Sequence, residues 1–346
     1  MTIVQPGDPT RLPPDEQELE FLGDAERFER SEDVDLESED RSLIPAGGEV
    51  AGHGSMLRQM VRVFAQNKLA VLSLFYLVFI TVACFFGPLV YHSLQNAGLA
   101  ITEANNTCYN NSPLGIAGPM AGHPLGCTPD GLDELGRILD AGKYSLIVGY
   151  VSAIVTMTFG VFYGIVAGYK GGKLDTVLMR VNDMFLSIPG LYLILLIISF
   201  LGRGTVGLIM VIGFTGWFGV ARLMRGEALM LRDREYSQAV RAMGGGSSRI
   251  IWKHILPNSM STMATAGTFA LGDSILALTA LGFLGLGLQA PLTDWGTMIQ
   301  EGSTNFYSGA WWQIWPLAII FILVVLSTNY IGDALRDAFE VRLQER

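Results

Sequence analysis

The side chains that most often carry chemistry are few in this sequence and lie far apart. The 346 residues include 4 His and 3 Cys, and none of them has the close spacing that binds zinc. The nearest match to a phosphate-binding loop, YKGGKL at 169–174, lacks both the first glycine and the Ser or Thr that would hold magnesium. An enzyme working inside a membrane would need a nucleophile with a base, or a set of metal ligands, at one depth. We therefore expect no catalytic, cofactor-binding or metal-binding residue in this chain.

Two acidic residues could still act on a solute. Asp273 falls in the middle of an apolar block, and ionisable groups at membrane depth usually face a cavity or a partner because burying their charge is costly. We interpret Asp273 as lining a path through the protein; pairing with a neighbouring helix and a misplaced span boundary are the alternatives. Asp183 is the second candidate for the path, although its spacing from Arg180 also allows those two residues to pair on one helix face.

Long apolar blocks must position these residues. Half of the sequence is hydrophobic and 16% is charged, which excludes a soluble single domain. A helix needs about 20 apolar residues to cross about 30 Å of hydrocarbon. Since backbone polar groups in lipid must pair within their own segment, the sequence predicts an all-α, polytopic membrane protein with six transmembrane helices. The six blocks are approximately 69–91, 145–169, 176–201, 205–223, 261–288 and 311–331.

The acidic charge of the chain is confined to its beginning. Residues 1–50 hold 15 acidic and 4 basic side chains, whereas the remainder has a net charge of +2. A segment rich in Glu, Asp, Pro and Ser buries too little apolar area to fold, so 1–55 is predicted to be a disordered cytoplasmic tail and 56–346 the membrane domain. The tail is either a solvated segment or a regulatory one. The bases elsewhere are not clustered with aromatic residues, which argues against nucleic-acid binding.

The distribution of bases predicts the orientation in the membrane. Of the 19 Lys and Arg after residue 50, 16 fall on the side that carries both termini and three on the other, which places both termini in the cytoplasm. Residues 92–144 then form an exterior loop and 224–260 a cytoplasmic one. Cys108 and Cys127 share the exterior loop, where an oxidising environment makes a disulfide between them an expectation. Cys84, inside the first span, is expected to be a small buried hydrophobe.

Several positions predict how the helices pack. Gly160, Gly164 and Gly168 repeat every four residues, which removes side chains from one helical stripe and lets another helix approach closely. Pro189 should kink the third span or start its membrane-embedded part. Trp295 near the exterior end of a span is expected to anchor the interface, as are Trp311 and Trp312.

The 224–260 loop is too long for a simple turn. Residues 228–243 are rich in helix formers, the three glycines at 244–246 break that helix, and Ser247 and Ser248 can cap a second helix that runs to Ile255. Pro257 is expected to stop the second helix. The result would be a rigid protrusion below the membrane with apolar Ala239, Ala242, Ile250 and Leu256 among charged residues. Such a surface fits a groove on another protein.

This loop resembles the "EAA" loop of ABC importer permeases. That pattern places a glycine 13 residues before a proline, as Gly244 and Pro257 stand here, while 238–240 read Gln-Ala-Val in place of Glu-Ala-Ala and His254 replaces Ile. EYSQAVRAMG and KHILPN are similar to the peptide-importer branch. The resemblance to the second permease of dipeptide and oligopeptide importers extends over 57–346. It includes HPLG at 123–126, DELGR at 133–137, MRVNDMFLSIP at 179–189, FLGLGLQAPLTDWGTMIQEG at 283–302 and NYIGDALRDAF at 329–339. CTPDGL at 127–132 interrupts the pattern, and Leu278 stands where many relatives carry Glu.

The resemblance implies a type I ABC importer permease fold and a subunit that hydrolyses nothing itself. It would sit in a bacterial inner membrane, with a homologous second permease, two ATPase subunits that bind ATP and magnesium, an exterior substrate-binding protein, and a peptide as substrate. The residues implied in coupling to the ATPase are Glu235, Tyr236, Ala239, Arg241, Ala242, Gly244, Arg249, His254, Leu256 and Pro257. Relatives of this kind import nickel chelates or heme as well. A self-sufficient channel or secondary transporter is a further alternative, but it would predict several polar groups within the spans and inverted repeats, neither of which the sequence has.

Overall fold

The computed structural model describes residues 61–96, 117–120, 123–129 and 131–344. The acidic tail 1–55 and Cys108 lie outside the described residues, so the predicted disorder of the tail and the Cys108–Cys127 disulfide stay predictions. Apart from two isolated β-bridges, the regular structure of the described ranges is helical, which confirms the predicted all-α class.

Ten helices form the framework of the described part of the chain. They are α1 (Lys68–Asn96), α2 (Glu134–Lys170), α3 (Gly172–Leu186), α4 (Gly190–Leu201), α5 (Thr205–Arg232), α6 (Glu235–Ala242), α7 (Ser247–Ile250), α8 (Met260–Phe283), α9 (Trp295–Asn305) and α10 (Trp315–Gln344). Short 3₁₀ turns join α9 to α10. Five of these helical segments are long and apolar enough to cross a membrane, namely α1, α2, α5, α8 and the segment containing α10. The count becomes six if α3 and α4 together form one span.

The third predicted span is not one straight helix. α3 and α4 meet at an angle of 90°, because Pro189 has no N–H to donate and disfavours the helical conformation of the residue before it. Pro189 is the N-cap of α4, as the expectation of a kink or a new start required. α4 has 12 residues, a length of about 18 Å, which is too short to cross a bilayer by itself.

α2 and α5 pack closely along the predicted glycine stripe. A Cβ added at Gly160 would lie 2.6 Å from the Cβ of Val220, and one at Gly164 or Gly168 would strike the α5 backbone. Thr156 Oγ1 donates a hydrogen bond of 3.1 Å to the carbonyl of Gly213. Bare backbone on one helix therefore gives the other room for close van der Waals contact and interhelical hydrogen bonds.

Trp295 lies in the protein core, so the prediction that it anchors the membrane interface is wrong. The side chain is fully buried, its Nε1 donates to the carbonyl of Ile138 at 3.1 Å, and its backbone N–H donates to Ser145 Oγ at 3.0 Å. Gly142 provides the space, since a Cβ there would lie 2.8 Å from the indole ring. Cys84 is buried against the same glycine, as expected.

The α2–α5 contact can be tested with two glycine substitutions. Gly164→Ala should lower the free energy of unfolding by about 1–3 kcal/mol because the new methyl group forces the helices apart. Gly226→Ala, on α5 with nothing within 4 Å of its added Cβ, should be neutral or stabilising by up to about 1 kcal/mol. Thermal unfolding in detergent measures both, and equal effects would contradict the packing role of Gly164.

Candidate functional site

The coupling segment, residues 233–259, connects α5 to α8 and is shorter than the predicted loop because α5 continues to Arg232. The expected helix over 228–243 is wrong: it divides at Asp233 and Arg234, and α6 starts at Glu235. The glycine break is present, with Gly244 at φ +79°, a conformation that glycine adopts without strain.

The second half of the coupling segment also differs from the expectation. Gly246, not Ser247 or Ser248, is the N-cap of α7, and it makes no side-chain capping bond. α7 continues through a π-helical turn, Ile251–Ile255, into the helical turn Leu256–Asn258. Pro257 does not stop this run; it stands at the start of the last helical turn, directly after the π-helical turn.

Local hydrogen bonds fasten α6 to the end of α5. Ser237 is completely buried, and its hydroxyl donates to the carbonyl of Leu231 at 2.8 Å. Gln238 Nε2 donates to the carbonyl of Asp233 at 2.9 Å. Gly245 allows the return of the chain, because a Cβ there would lie 2.5 Å from Val240 Cγ1. α6 therefore cannot turn freely at the end of α5.

The coupling segment also touches the end of α2 and folds back on itself. The guanidinium of Arg241 lies 5.9 Å from the ring centroid of Tyr169, a cation–π contact. Next to it, Arg232 at the end of α5 donates from Nη1 to the carbonyl of Gly168 at 3.1 Å. Tyr236 stacks on His254 with ring centroids 5.9 Å apart, and burial raises the pKa of the Tyr236 hydroxyl above its ordinary value of 10.0. These contacts connect α6, the π-helical turn and α2.

The structure brings the predicted coupling residues onto one protruding segment. Most of them are exposed; His254 and Leu256 are partly buried. Ile250 is an exception to the predicted surface, since it is completely buried with Ile255 in a core that α2 and α5 share. The exposed members are Glu235, Tyr236, Ala239, Arg241, Ala242, Gly244, Arg249 and Pro257.

Two large apolar residues of this surface were missed by the sequence analysis. Met243 is 79% exposed and Trp252 is 63% exposed. The signal was present in the sequence, because Met and Trp are enriched where a partner covers a surface.

Two ion pairs attach α3 to α5. Asp175 accepts two hydrogen bonds from Arg225, at 2.6 Å from Nε and 2.7 Å from Nη2, and its side chain is 12% exposed. Asp183 pairs with Arg222 at 2.5 Å, and both of those side chains are more than half exposed. The spacing of Asp183 and Arg180 allowed those two to pair, but Asp183 pairs instead with Arg222 of α5.

Asp273 lies in the wall of a cavity of about 330 Å³ between α2, α4, α5 and α8. It is the one ionisable residue among the cavity's lining residues, and Asp183 is not among them. The rest of the wall is small, apolar or hydroxylic, and includes Thr156, Gly190, Ile194, Thr215, Gly219 and Phe269. α4 contributes its first residues, so the bend after α3 helps to form this cavity.

A buried polar cluster lies at the opposite end of α2, which is 37 residues or about 55 Å long. Asp133 caps α2 by accepting from the N–H of Gly136 at 2.7 Å, and it also contacts Tyr91 at 2.6 Å and His123 Nδ1 at 2.9 Å. His123 belongs to the HPLG stretch and Asp133 to the DELGR stretch, so their contact explains why the two stretches occur together. The geometric reason was not visible in the sequence because Tyr91 comes from a distant helix.

Asp294 organises the connection between α8 and α9. It is completely buried and accepts hydrogen bonds from the N–H groups of Leu288 and Thr297 and from the Thr297 hydroxyl. Gly282 and Gly287 pack directly on its carboxylate. The glycines of the FLGLGLQAPLTDWG stretch thus leave room for one carboxylate.

Comparison with known proteins places the chain in a family. The family model described as "Binding-protein-dependent transport system inner membrane component" matches residues 160–345, which is more than half of the chain. The model described as "N-terminal TM domain of oligopeptide transport permease C" matches residues 55–113. The chain belongs to the family of binding-protein-dependent transport system inner membrane components. It is therefore a multi-pass membrane permease component, as its helices also indicate.

Several relatives align with this inner membrane component over most of their length. The dipeptide transport system permease protein DppC of Bacillus subtilis is 35% identical over 81% of this chain and 83% of the relative. The oligopeptide transport system permease protein OppC of Haemophilus influenzae is 34% identical over 83% of this chain and 88% of the relative. The di/tripeptide transport system permease protein DppC of Pseudomonas aeruginosa is 30% identical over 87% of this chain and 97% of the relative.

The fold agrees with that of a solved transporter. A chain of the structure titled "Inward facing conformations of the MetNI methionine ABC transporter" matches with a TM-score of 0.50 at 19% identity, covering 58% of this chain and 96% of that chain. The expectation of a type I ABC importer permease fold is thereby confirmed.

The two ion pairs between α3 and α5 should differ in strength. Asp175→Asn should lower the free energy of unfolding by about 1–3 kcal/mol, since it leaves the partly buried guanidinium of Arg225 without its partner. Asp183→Asn on the same helix should cost less than about 1 kcal/mol because both side chains of its pair with Arg222 are more than half exposed. Denaturation in detergent compares the two variants, and a larger loss for Asp183→Asn would refute this ranking.

Proposed function

We propose that this chain is the transmembrane subunit of an ATP-driven importer for di- or oligopeptides in a bacterial inner membrane, with both termini in the cytoplasm. It forms half of the translocation path beside a homologous second permease. Two ATPase subunits bind ATP and magnesium below it, and a substrate-binding protein delivers peptide from outside. The peptide substrate is supported by relatives named as dipeptide and oligopeptide permeases.

The observation that carries this proposal is the exposed coupling segment held rigidly on two membrane helices. Met243 and Trp252 present apolar area to a groove on the ATPase, and small Ala239 and Ala242 permit close approach. Arg249 is available to pair with acidic side chains of the partner, and Glu235 with basic ones. Hydrogen bonds to α5 and the contact with the end of α2 hold the segment rigid. A displacement of the segment would therefore move these helices with it.

The ion pair of Arg225 with Asp175 offers a route from this segment to the cavity. Movement of α5 acts on α3 through the two hydrogen bonds of that pair. α3 leads through the bend at Pro189 into α4, whose Gly190 and Ile194 line the cavity with Asp273. ATP binding by the partner would then favour one of two arrangements of the cavity wall.

Trp252→Ala tests the docking role of the coupling segment. We expect the affinity for the ATPase to fall about tenfold or more, because a buried Trp at an interface is typically worth 2 kcal/mol or more. Uptake into proteoliposomes by the complete importer should fall in parallel. Trp252→Phe keeps an aromatic side chain and should retain most of the affinity. Unchanged ATPase binding in Trp252→Ala would contradict the assignment.

Asp273→Asn tests whether the cavity belongs to the translocation path. Peptide uptake per ATP hydrolysed should fall at least severalfold, while assembly with the ATPase stays intact because Asp273 lies far from the coupling segment. Thr215→Val, in the same cavity wall, is the control for a change of polarity without loss of charge and should have a smaller effect. Normal uptake in Asp273→Asn would remove this residue from the path.

A further inference from the structure

A second cavity, of about 290 Å³, lies at the N-terminal end of α2, opposite the coupling segment. It is bordered by the start of α2, by α9 and by the turns that flank them. Its walls are mostly polar and include Thr128, Glu134, Arg137, Glu301, Asn305 and Gln313. Under the proposed orientation this cavity belongs to the exterior side, where substrate arrives.

Glu134 is the unusual residue of this cavity. It is 2% exposed, and its Oε2 has no hydrogen-bond partner within the described residues. An unpaired buried carboxylate oxygen costs free energy, and such groups in proteins normally have a partner. The neighbouring cation, Arg137, does not supply one; its Nη2 donates to Glu301 Oε2 at 2.7 Å.

No ion pair in the described part of the chain includes Glu134. Asp133 is occupied by Tyr91, His123 and the N–H of Gly136. Two carboxyl groups, Glu134 and Glu301, border this cavity with one guanidinium, that of Arg137, so a cationic ligand would supply a second counter-charge and stabilise the ionised form of Glu134. The cavity therefore favours a ligand that carries a single positive charge and hydrogen-bond donors.

The other wall residues suit an ammonium group better than a metal ion. Asn305 Nδ2 donates to Gln313 Oε1 at 3.0 Å, and Gln313 Nε2 donates to the carbonyl of Cys127 at 3.2 Å, so these amides are held in place. Calcium sites use six to eight oxygen ligands, commonly with several carboxylates, whereas the described residues contain no group of three or more His, Cys, Asp or Glu that could hold a metal. The volume also exceeds the need of a bare ion.

We propose that this cavity binds the ammonium group of the incoming substrate, with Glu134 as its counter-ion. The proposal rests on the proposed function, because a peptide delivered from outside brings such a group. It assigns the exterior end of α2 a part in substrate recognition that is separate from the cavity of Asp273.

The test measures binding without transport. The intact importer complex, in lipid nanodiscs and without its delivery protein, is titrated with glycinamide, which carries an ammonium group, and with N-acetylglycinamide, its neutral counterpart. Saturation-transfer NMR reports binding of each probe. We expect glycinamide to bind, N-acetylglycinamide to bind at least tenfold more weakly, and Glu134→Gln to weaken glycinamide binding at least tenfold. Asp140→Asn, which removes a carboxylate of the adjoining cavity, should change it less than twofold.

Each other outcome overturns the site. Equal binding of the two probes by the unmodified complex refutes the site without any variant. The proposal can therefore be tested even if Glu134→Gln does not fold. An equal loss in Asp140→Asn would indicate a general effect of negative charge instead. If Glu134→Gln weakened only the affinity for the delivery protein, the cavity would be a docking point for that protein. Peptide import by proteoliposomes, measured separately, tests the proposed function, so its failure is distinguishable from failure of this site.

Discussion

Close contact between α2 and α5 is the constraint on which the rest of the molecule depends. Gly160, Gly164 and Gly168 expose backbone along one stripe of α2, and α5 lies directly on it. Without side chains between them, the helices approach closely enough for van der Waals contact along their length and for hydrogen bonds from Thr156. The contact fixes where the end of α5 emerges, and the coupling segment continues from that end. It also places Arg225 beside Asp175.

Two buried carboxylates fix the loops at the helix ends, as the glycine stripe fixes the contact between α2 and α5. Asp133 and Asp294 each accept three hydrogen bonds and lie at the starts of α2 and α9. A helix N-terminus favours a negative charge, and its free N–H groups need acceptors. One carboxylate therefore both caps a helix and ties a loop to it. The ion pair of Arg137 with Glu301 then joins the first turns of α2 to α9, and the polar cavity of Glu134 forms beside this pair.

Much of this architecture was predictable from the sequence, because length and composition determine which segments can cross a membrane. The glycine stripe predicted close packing, and Pro189 predicted an interruption of the third span. The 90° angle at that interruption was not predictable, since a proline disallows a straight helix without specifying the new direction. Trp295 was misread for a similar reason: a Trp near a span end suits an interface, and only the space left by Gly142, 153 residues earlier, makes a core position available. The coupling residues stay a prediction from a motif. Ile250 was assigned to the surface because apolar and charged residues alternate there, and that pattern does not distinguish a residue facing a partner from one facing the core.

The way the parts are joined indicates which of them move together. The coupling segment is connected to α5 by short hydrogen bonds between neighbouring residues and by covalent continuity, and Ile250 and Ile255 are buried against α2 and α5. These three parts form one packed body. α3 is joined to that body by ion pairs and by Tyr163, whose hydroxyl donates to the carbonyl of Leu178 at 2.8 Å. Polar contacts of this kind are few and directional, so they can transmit a displacement and still exchange between two arrangements, whereas a close-packed apolar core transmits a displacement but resists rearrangement. Under the proposed function, the bend before α4 is the boundary between the body that would receive force from the ATPase and the cavity wall that would move.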